Sequence, residues 1–187
     1  GGGASARLKD GAYDQREDPR FPPSKAPFLP LRARGDVVVF ESEPLTEDIT
    51  VIGPIKVTLH ASASTVDTDL TAKLIDVYPP SAAWPGGFDL NITDAIVRAR
   101  YRATREKAEF LEPGRIYEFT IEPFPTANVF KKGHRIRVDI SSSNFPRFAS
   151  TAPVNAPLTW PNSSLSISSD GIAAQLTATN GPAARRE

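Results

Sequence analysis

Apolar and polar residues alternate with period two through much of the stretch from Asp36 to Ser143. Ile55, Val57, Leu59 and Ala61 interleave with Lys56, Thr58, His60 and Ser62. Leu70, Ala72 and Leu74 interleave with Thr71, Lys73 and Ile75, and Val97, Ala99 and Tyr101 with Arg98, Arg100 and Arg102. Further on, Tyr117, Phe119 and Ile121 alternate with Glu118, Thr120 and Glu122, and Ile136, Val138 and Ile140 with Arg135, Arg137 and Asp139. Successive side chains of a pleated strand point to opposite faces, so this pattern predicts strands with one apolar and one mostly polar face. Antiparallel sheets that pack on one side and are wet on the other read this way. Val37 to Phe40 adds a short β-rich run, and no ten-residue stretch holds a capped 3.6-residue period.

Turn signals separate the runs: Pro79-Pro80, Pro85-Gly86-Gly87, Pro113-Gly114 and Lys132-Gly133. Several short strands with such punctuation predict two antiparallel sheets face to face, an all-β sandwich. The interval from Pro79 to Asn91 is too long for a tight hairpin and predicts a Greek-key or jelly-roll crossover. Residues 1–35 read as a linker or proline-rich arm, because Pro19, Pro22, Pro23, Pro27 and Pro30 crowd one charged stretch and proline cannot donate to a sheet ladder. Phe21, Phe28, Leu29 and Leu31 would let that arm dock; a free arm is the alternative. Residues 36–148 form the expected sandwich core. Residues 149–187 are a divergent segment in which Asp170 is the one charge between Ala149 and Ala184. Within it, 165–168 and 172–178 fit two weak closing strands, or else a polar tail.

Composition narrows the functional classes. The chain has 187 residues, of which 40% are hydrophobic and 24% charged, which suits one globular domain with tails. Lys plus Arg and Asp plus Glu both number 22, a balance that argues against nucleic acid as a partner. No run approaches the ~18–20 apolar residues that span a bilayer, so no membrane partner is expected. Cysteine is absent, which removes thiolate catalysis and cysteine-ligated metals. Methionine is also absent and the chain starts Gly1-Gly2-Gly3, which suggests a piece of a longer protein or a trimmed initiator. Eighteen prolines against twelve glycines suit a turn-rich β chain.

The chemistry-bearing residues are sparse. No Gly-x-Ser-x-Gly occurs, so the nucleophile elbow of an α/β hydrolase is missing from this stretch. His60 and His134 fall out of phase with the apolar faces and are expected as exposed imidazoles; they make a poor zinc site. Asp67, Asp69 and Asp76 could be read as calcium ligands, but carboxylates capping turns are the simpler expectation. Arg98, Arg100, Arg102, Lys131, Arg135 and Arg137 could line an anion stripe; a solvated face paired with Glu118, Glu122 and Asp139 fits zero net charge better. Trp84, Phe88 and Trp160 are the aromatics on which a carbohydrate-binding module would rely. No cofactor and no metal site are expected, and the sequence assigns no compartment.

Two runs carry more than strand filler. One is Asn128-Val129-Phe130-Lys131-Lys132-Gly133-His134-Arg135-Ile136-Arg137-Val138, and the other is Ser141-Ser142-Ser143-Asn144-Phe145-Pro146-Arg147-Phe148. They follow, in order, Pro44-Leu45-Thr46-Glu47-Asp48, Gly53-Pro54-Ile55, Asp67-Thr68-Asp69-Leu70-Thr71-Ala72-Lys73-Leu74-Ile75-Asp76-Val77, Ile96-Val97-Arg98-Ala99-Arg100-Tyr101-Arg102, Leu111-Glu112-Pro113-Gly114 and Tyr117-Glu118-Phe119-Thr120-Ile121. As an ordered set these blocks resemble the C-terminal domain of the X-prolyl dipeptidyl peptidase and cocaine-esterase-like (CocE/NonD) serine hydrolases. Gly11-Ala12-Tyr13-Asp14-Gln15-Arg16 resembles the stretch that joins that domain to the catalytic one.

The resemblance implies a jelly-roll, galactose-binding-like β-sandwich packed against an α/β-hydrolase catalytic domain of the same parent chain. It implies that the Ser-Asp-His triad lies upstream, so no catalytic residue carries over and this chain alone is expected to be inactive. It also implies that the sandwich helps wall the active site and hold the assembly together. That makes Phe145, Pro146 and Phe148 candidate interface residues. The stretch from Glu17 to Arg34 looks like an insertion. After Phe148 the family's Asp, Asn-rich turn and His-Pro-Ser strand are replaced by Ala149-Ser150-Thr151. A sandwich without its closing strands would expose edges and favour a homo-oligomer.

Overall fold

The computed structural model describes residues 30–144 in full, and the backbone of flanking strand segments at 6–9, 12–17, 158–159, 164–169 and 172–177. The strands are β1 (Ala6–Lys9), β2 (Ala12–Glu17), β3 (Val37–Glu41), β4 (Ile49–Gly53), β5 (Lys56–Ala63), β6 (Asp69–Tyr78), β7 (Phe88–Arg98), β8 (Tyr117–Ile121), β9 (Thr126–Phe130), β10 (Arg135–Ser141), β11 (Leu158–Thr159), β12 (Ser164–Ser169) and β13 (Ile172–Thr177). Short 3-10 turns at Leu31–Ala33 and Ala99–Tyr101 are the helical elements among the described residues. The expected all-β class therefore holds.

One sheet has the order β1-β2-β7-β6-β10-β3. The second centres on β5, which pairs β8 on one side and β11 and β12 on the other, with β13 beyond β12. A β4–β9 ribbon completes the arrangement, and every pairing is antiparallel. The apolar halves of the alternating runs meet between the sheets. Val57, Leu59 and Ala61 of β5 and Phe119 and Ile121 of β8 share one core with Phe40 of β3, Leu70, Ala72 and Leu74 of β6, and Val138 and Ile140 of β10. Burial of the Val, Leu, Ile and Phe side chains among these is worth about 1.5–3 kcal/mol each and drives the association of the sheets.

Two expectations are corrected. The connection after Pro79 is no crossover: β6 and β7 are direct antiparallel neighbours from Tyr78↔Phe88 to Asp69↔Arg98, joined by the 79–87 loop. The β7 strand starts at Phe88, and Phe88, Leu90 and Ile92 alternate there with Asp89, Asn91 and Thr93, directly after the Pro85-Gly86-Gly87 turn. A register shift between Leu74 and Ile75 places a bulge there, which re-aims side chains locally. At the other end, the alternation from Val97 to Tyr101 does not continue as strand. The chain turns at Ala99, because Asp67 Oδ1 accepts the Arg100 N–H at 3.0 Å and Thr68 O accepts the Ala99 N–H at 2.8 Å.

The 79–87 loop closes through Gly87, at φ +73°, where an added Cβ would lie 2.7 Å from the Tyr78 carbonyl oxygen. Gly133 has φ +85° but open space around it. Gly87→Ala is thus expected to destabilise the fold by at least about 1–3 kcal/mol, and Gly133→Ala by about 1–2 kcal/mol from φ alone. Thermal melts of the two variants, with Gly87→Ala the lower, check this; equal melts would contradict the close approach.

Candidate functional site

The outward face of β3, β6, β7 and β10 is where the structure departs most from the pattern. It was expected to be wet, yet Lys73, Asp94, Arg137 and Asp139 are all buried. Register explains how charge is tolerated there. Val39, Asp139, Lys73 and Asp94 lie side by side across four strands, so the charges alternate in sign. In the adjacent row Glu41 and Arg137 sit opposite one another. Opposite charges directly across a sheet attract, and they satisfy groups that water no longer reaches.

Arg137 is the centre of this cluster and is fully buried. Its Nη1 donates to Asp89 Oδ2 at 2.8 Å and lies 3.9 Å from Glu41 Oε2, while Nη2 reaches Asp139 Oδ2 at 3.4 Å. Nε lies 3.0 Å from Asp139 Oδ1 without the alignment of a hydrogen bond. Burial alone would favour loss of the guanidinium proton, but Asp139, Asp89 and Glu41 outweigh it and hold the group charged. Asp139 shifts upward instead: burial raises it more than Arg137 and Lys73 lower it, and Asp89 adds repulsion. The rest of the face is polar and paired as well. Thr71 Oγ1 and Ser141 Oγ lie 2.8 Å apart, and Asn144 Nδ2 donates to Asp94 Oδ2 at 3.1 Å.

An acid whose folded pKa lies above 3.8 contributes stability that is complete below its unfolded value and lost as pH rises through the folded one. Asp139→Asn removes that loss, so the melting temperature of the variant relative to the parent should rise from acid to neutral pH. A relative fall over the same range would show that the Arg137 and Lys73 charges dominate Asp139.

The basic stripe outside Arg137 is half-exposed to exposed, and it pairs with carboxylates other than Glu118 and Glu122. Arg98 Nε donates to buried Asp69 at 2.9 Å, which holds the guanidinium above its ordinary pKa. Arg100 Nη1 lies 3.4 Å from Asp67, and Arg102 stacks over Tyr117 with 4.4 Å to the ring centroid. Arg135 lies 3.7 Å from both Glu41 and Glu43, and Lys131 Nζ donates to Asp48 at 2.8 Å. Asp67 and Asp69 thus hold the corner where β6 begins and β7 ends. Among the described residues no group of three or more His, Asp or Glu side chains is placed for a metal ion.

The histidines differ from each other. His60 is exposed as expected, 3.4 Å from Glu118. His134 is not: its side chain is 12% exposed, and Nδ1 lies 2.8 Å from Oδ1 of buried Asp76. Burial raises Asp76 more than His134 lowers it. His134 also lies 4.3 Å from the Tyr78 ring; Tyr78 meets Phe88 edge-on at 6.0 Å, and Trp84 stacks on Phe88 at 4.6 Å. Trp84 and Phe88 therefore pack the 79–87 loop onto the sheet. No sequence period could pair His134 with Asp76, which are 58 positions apart. Phe145, Pro146 and Phe148, along with Trp160, lie outside the described residues.

Both histidines face carboxylates, and the buried charges neutralise one another across strands. What these features define is a β-sandwich domain built for packing. The chain belongs to the family of X-Pro dipeptidyl-peptidase C-terminal non-catalytic domains, whose sequence model matches residues 4–181. It is 44% identical over 119 residues to the cocaine esterase of Rhodococcus sp. strain MB1 Bresler, covering 64% of this chain and 20% of that one. Among solved structures, an α-amino acid ester hydrolase superposes with TM-score 0.63 at 37% identity, covering 66% of this chain and 20% of the other. An aminopeptidase from a marine sediment archaeon (Thaumarchaeota archaeon) gives TM-score 0.59 at 30% identity, covering 76% and 27% respectively. The chain spans about a fifth to a quarter of the length of these relatives.

Proposed function

We propose that this chain is the non-catalytic jelly-roll module of a serine hydrolase acting on esters, acyl-amides or Xaa-Pro peptides, and that it helps shape the active site and hold the parent enzyme together. The observation that carries this reading is the family match over residues 4–181, joined to relatives that extend far beyond the matched segment. Its core is residues 36–148, and the strands at 6–17 and 158–177 extend both sheets. In this reading Phe145, Pro146 and Phe148, directly after buried Asn144, contact the upstream α/β-hydrolase part.

A chimera tests the proposal. The matched segment of the Rhodococcus cocaine esterase is replaced by this chain. Ester hydrolysis should be retained by the chimera, absent from the esterase lacking the segment, and absent from this chain alone. A chain that hydrolysed an ester by itself, with loss on treatment with a serine reagent, would overturn the non-catalytic assignment.

A further inference from the structure

The β4–β9 ribbon carries apolar side chains on both faces and no charge on either. Inward, Val51 and Phe130 enter the core. Outward, the register sets Ile52 opposite Ala127 and Thr50 opposite Val129, which makes Ile52 and Val129 diagonal neighbours. Ile52 is 63% and Val129 40% exposed, and Phe124, just before β9, is 69% exposed. A ribbon with one face in water would carry polar residues there. Phe124 is also held ready. Pro123 and Pro125 flank it, and Thr93 Oγ1 donates to its carbonyl at 3.0 Å. An aromatic on a stiffened backbone loses little entropy when it binds, which is the profile of an interface anchor.

We propose that this outward face, Thr50, Ile52, Ala127 and Val129 with Phe124 at its rim, is the surface on which the upstream catalytic part of the parent polypeptide rests. The inference builds on the function proposed above and adds the place of contact. Chain direction selects this patch. In the family the non-catalytic domain is C-terminal, so the catalytic part reaches it through β1. Asp14 of β2 pairs with Leu90, and Ala6 of β1 pairs with Glu17. Antiparallel register therefore puts Ala6 at the Phe88 end of the sheet, with β2 between it and β7. The ribbon joins β5 at its Lys56 end, and Phe124 leaves β8 after Ile121 and ties to Thr93 of that same β7. A second apolar patch, Val66, Phe110 and Ile116, is also exposed. It lies at the opposite end of β5 and β8, where Val66 O accepts the Leu111 N–H and Ala63 O the Gly114 N–H. It serves as the internal control.

The test uses the esterase chimera. Ile52→Asp with Val129→Asp, and separately Phe124→Ser in the loop outside any strand, should each shorten the half-life of hydrolysis at elevated temperature about tenfold or more. Each should also open the junction to limited proteolysis. Val66→Asp with Phe110→Asp should leave both readouts unchanged. The Phe124→Ser change in the 187-residue chain should barely move its melt, which separates lost docking from lost folding. Ribbon and Phe124 variants that match the parent chimera, with collapse on the Val66 and Phe110 changes instead, would overturn the placement and leave the function intact. A parent chimera with no hydrolysis would remove the functional reading, and the placement with it.

Discussion

Replacing Arg137 by methionine is expected to lower folding stability by about 3–5 kcal/mol. The substitution keeps an apolar stem of similar reach but deletes the one cation that, among the described residues, Asp89, Asp139 and Glu41 all face within 4 Å. Three carboxylates would then lose the charge they share, leaving Lys73 beside Asp139 and Arg135 beside Glu41 as the remaining cations. Removing one member of a buried ion cluster leaves the others desolvated and unpaired, which is far costlier than the net worth of the cluster. At this chain length the loss corresponds to a fall in melting temperature on the order of 10 °C. Adding Asp89→Asn and Asp139→Asn to Arg137→Met should recover much of it, because the stranded charges go with the arginine. Melts of the single and triple variants decide the matter. A single variant within 2 °C of the parent would mean that solvent reaches this face.

The second large effect is expected at Phe130. It is fully buried at the end of β9 and is the ribbon's largest core side chain. Phe130→Ala should cost about 3–5 kcal/mol, from lost transfer energy and the cavity left behind. Ile52, on the same ribbon but facing outward, should cost under about 0.5 kcal/mol when cut to alanine in this chain. Urea titration of both variants checks the contrast. A loss at Ile52 as large as that at Phe130 would show the ribbon face to be covered within the chain itself.

Some of this was legible in the linear pattern. Where an apolar strand face met water-facing polar neighbours, as in Val57-Thr58-Leu59-His60 and Tyr117-Glu118-Phe119, period two marked β5 and β8 almost to the residue. The weak runs near 165 and 172 correspond to β12 and β13. Other strands were hidden. The first half of β7 does alternate, Phe88, Leu90 and Ile92 against Asp89, Asn91 and Thr93, and is obscured by the adjoining Pro85-Gly86-Gly87 turn signal. In β4 and β9 both faces are apolar or neutral, so Ile49 to Gly53 shows no alternation to read. The family resemblance supplied what period and composition could not, namely the expectation that the chemistry belongs to an upstream part.

The sequence by itself determined the all-β class, the core-facing residues of β5, β8 and β10, and the absence of a nucleophile elbow in this stretch. These depend on side-chain identity at local spacing, and a pleated strand has only two faces to fill. Only the tertiary structure decided what the polar faces do. Arg137, Lys73 and Asp139 read as solvated residues until strand order and register set opposite charges side by side. His134 likewise read as exposed until the fold carried it to Asp76. Charge neutralisation acts between residues distant in sequence, so it is fixed by which strands become neighbours, and no local pattern holds that information.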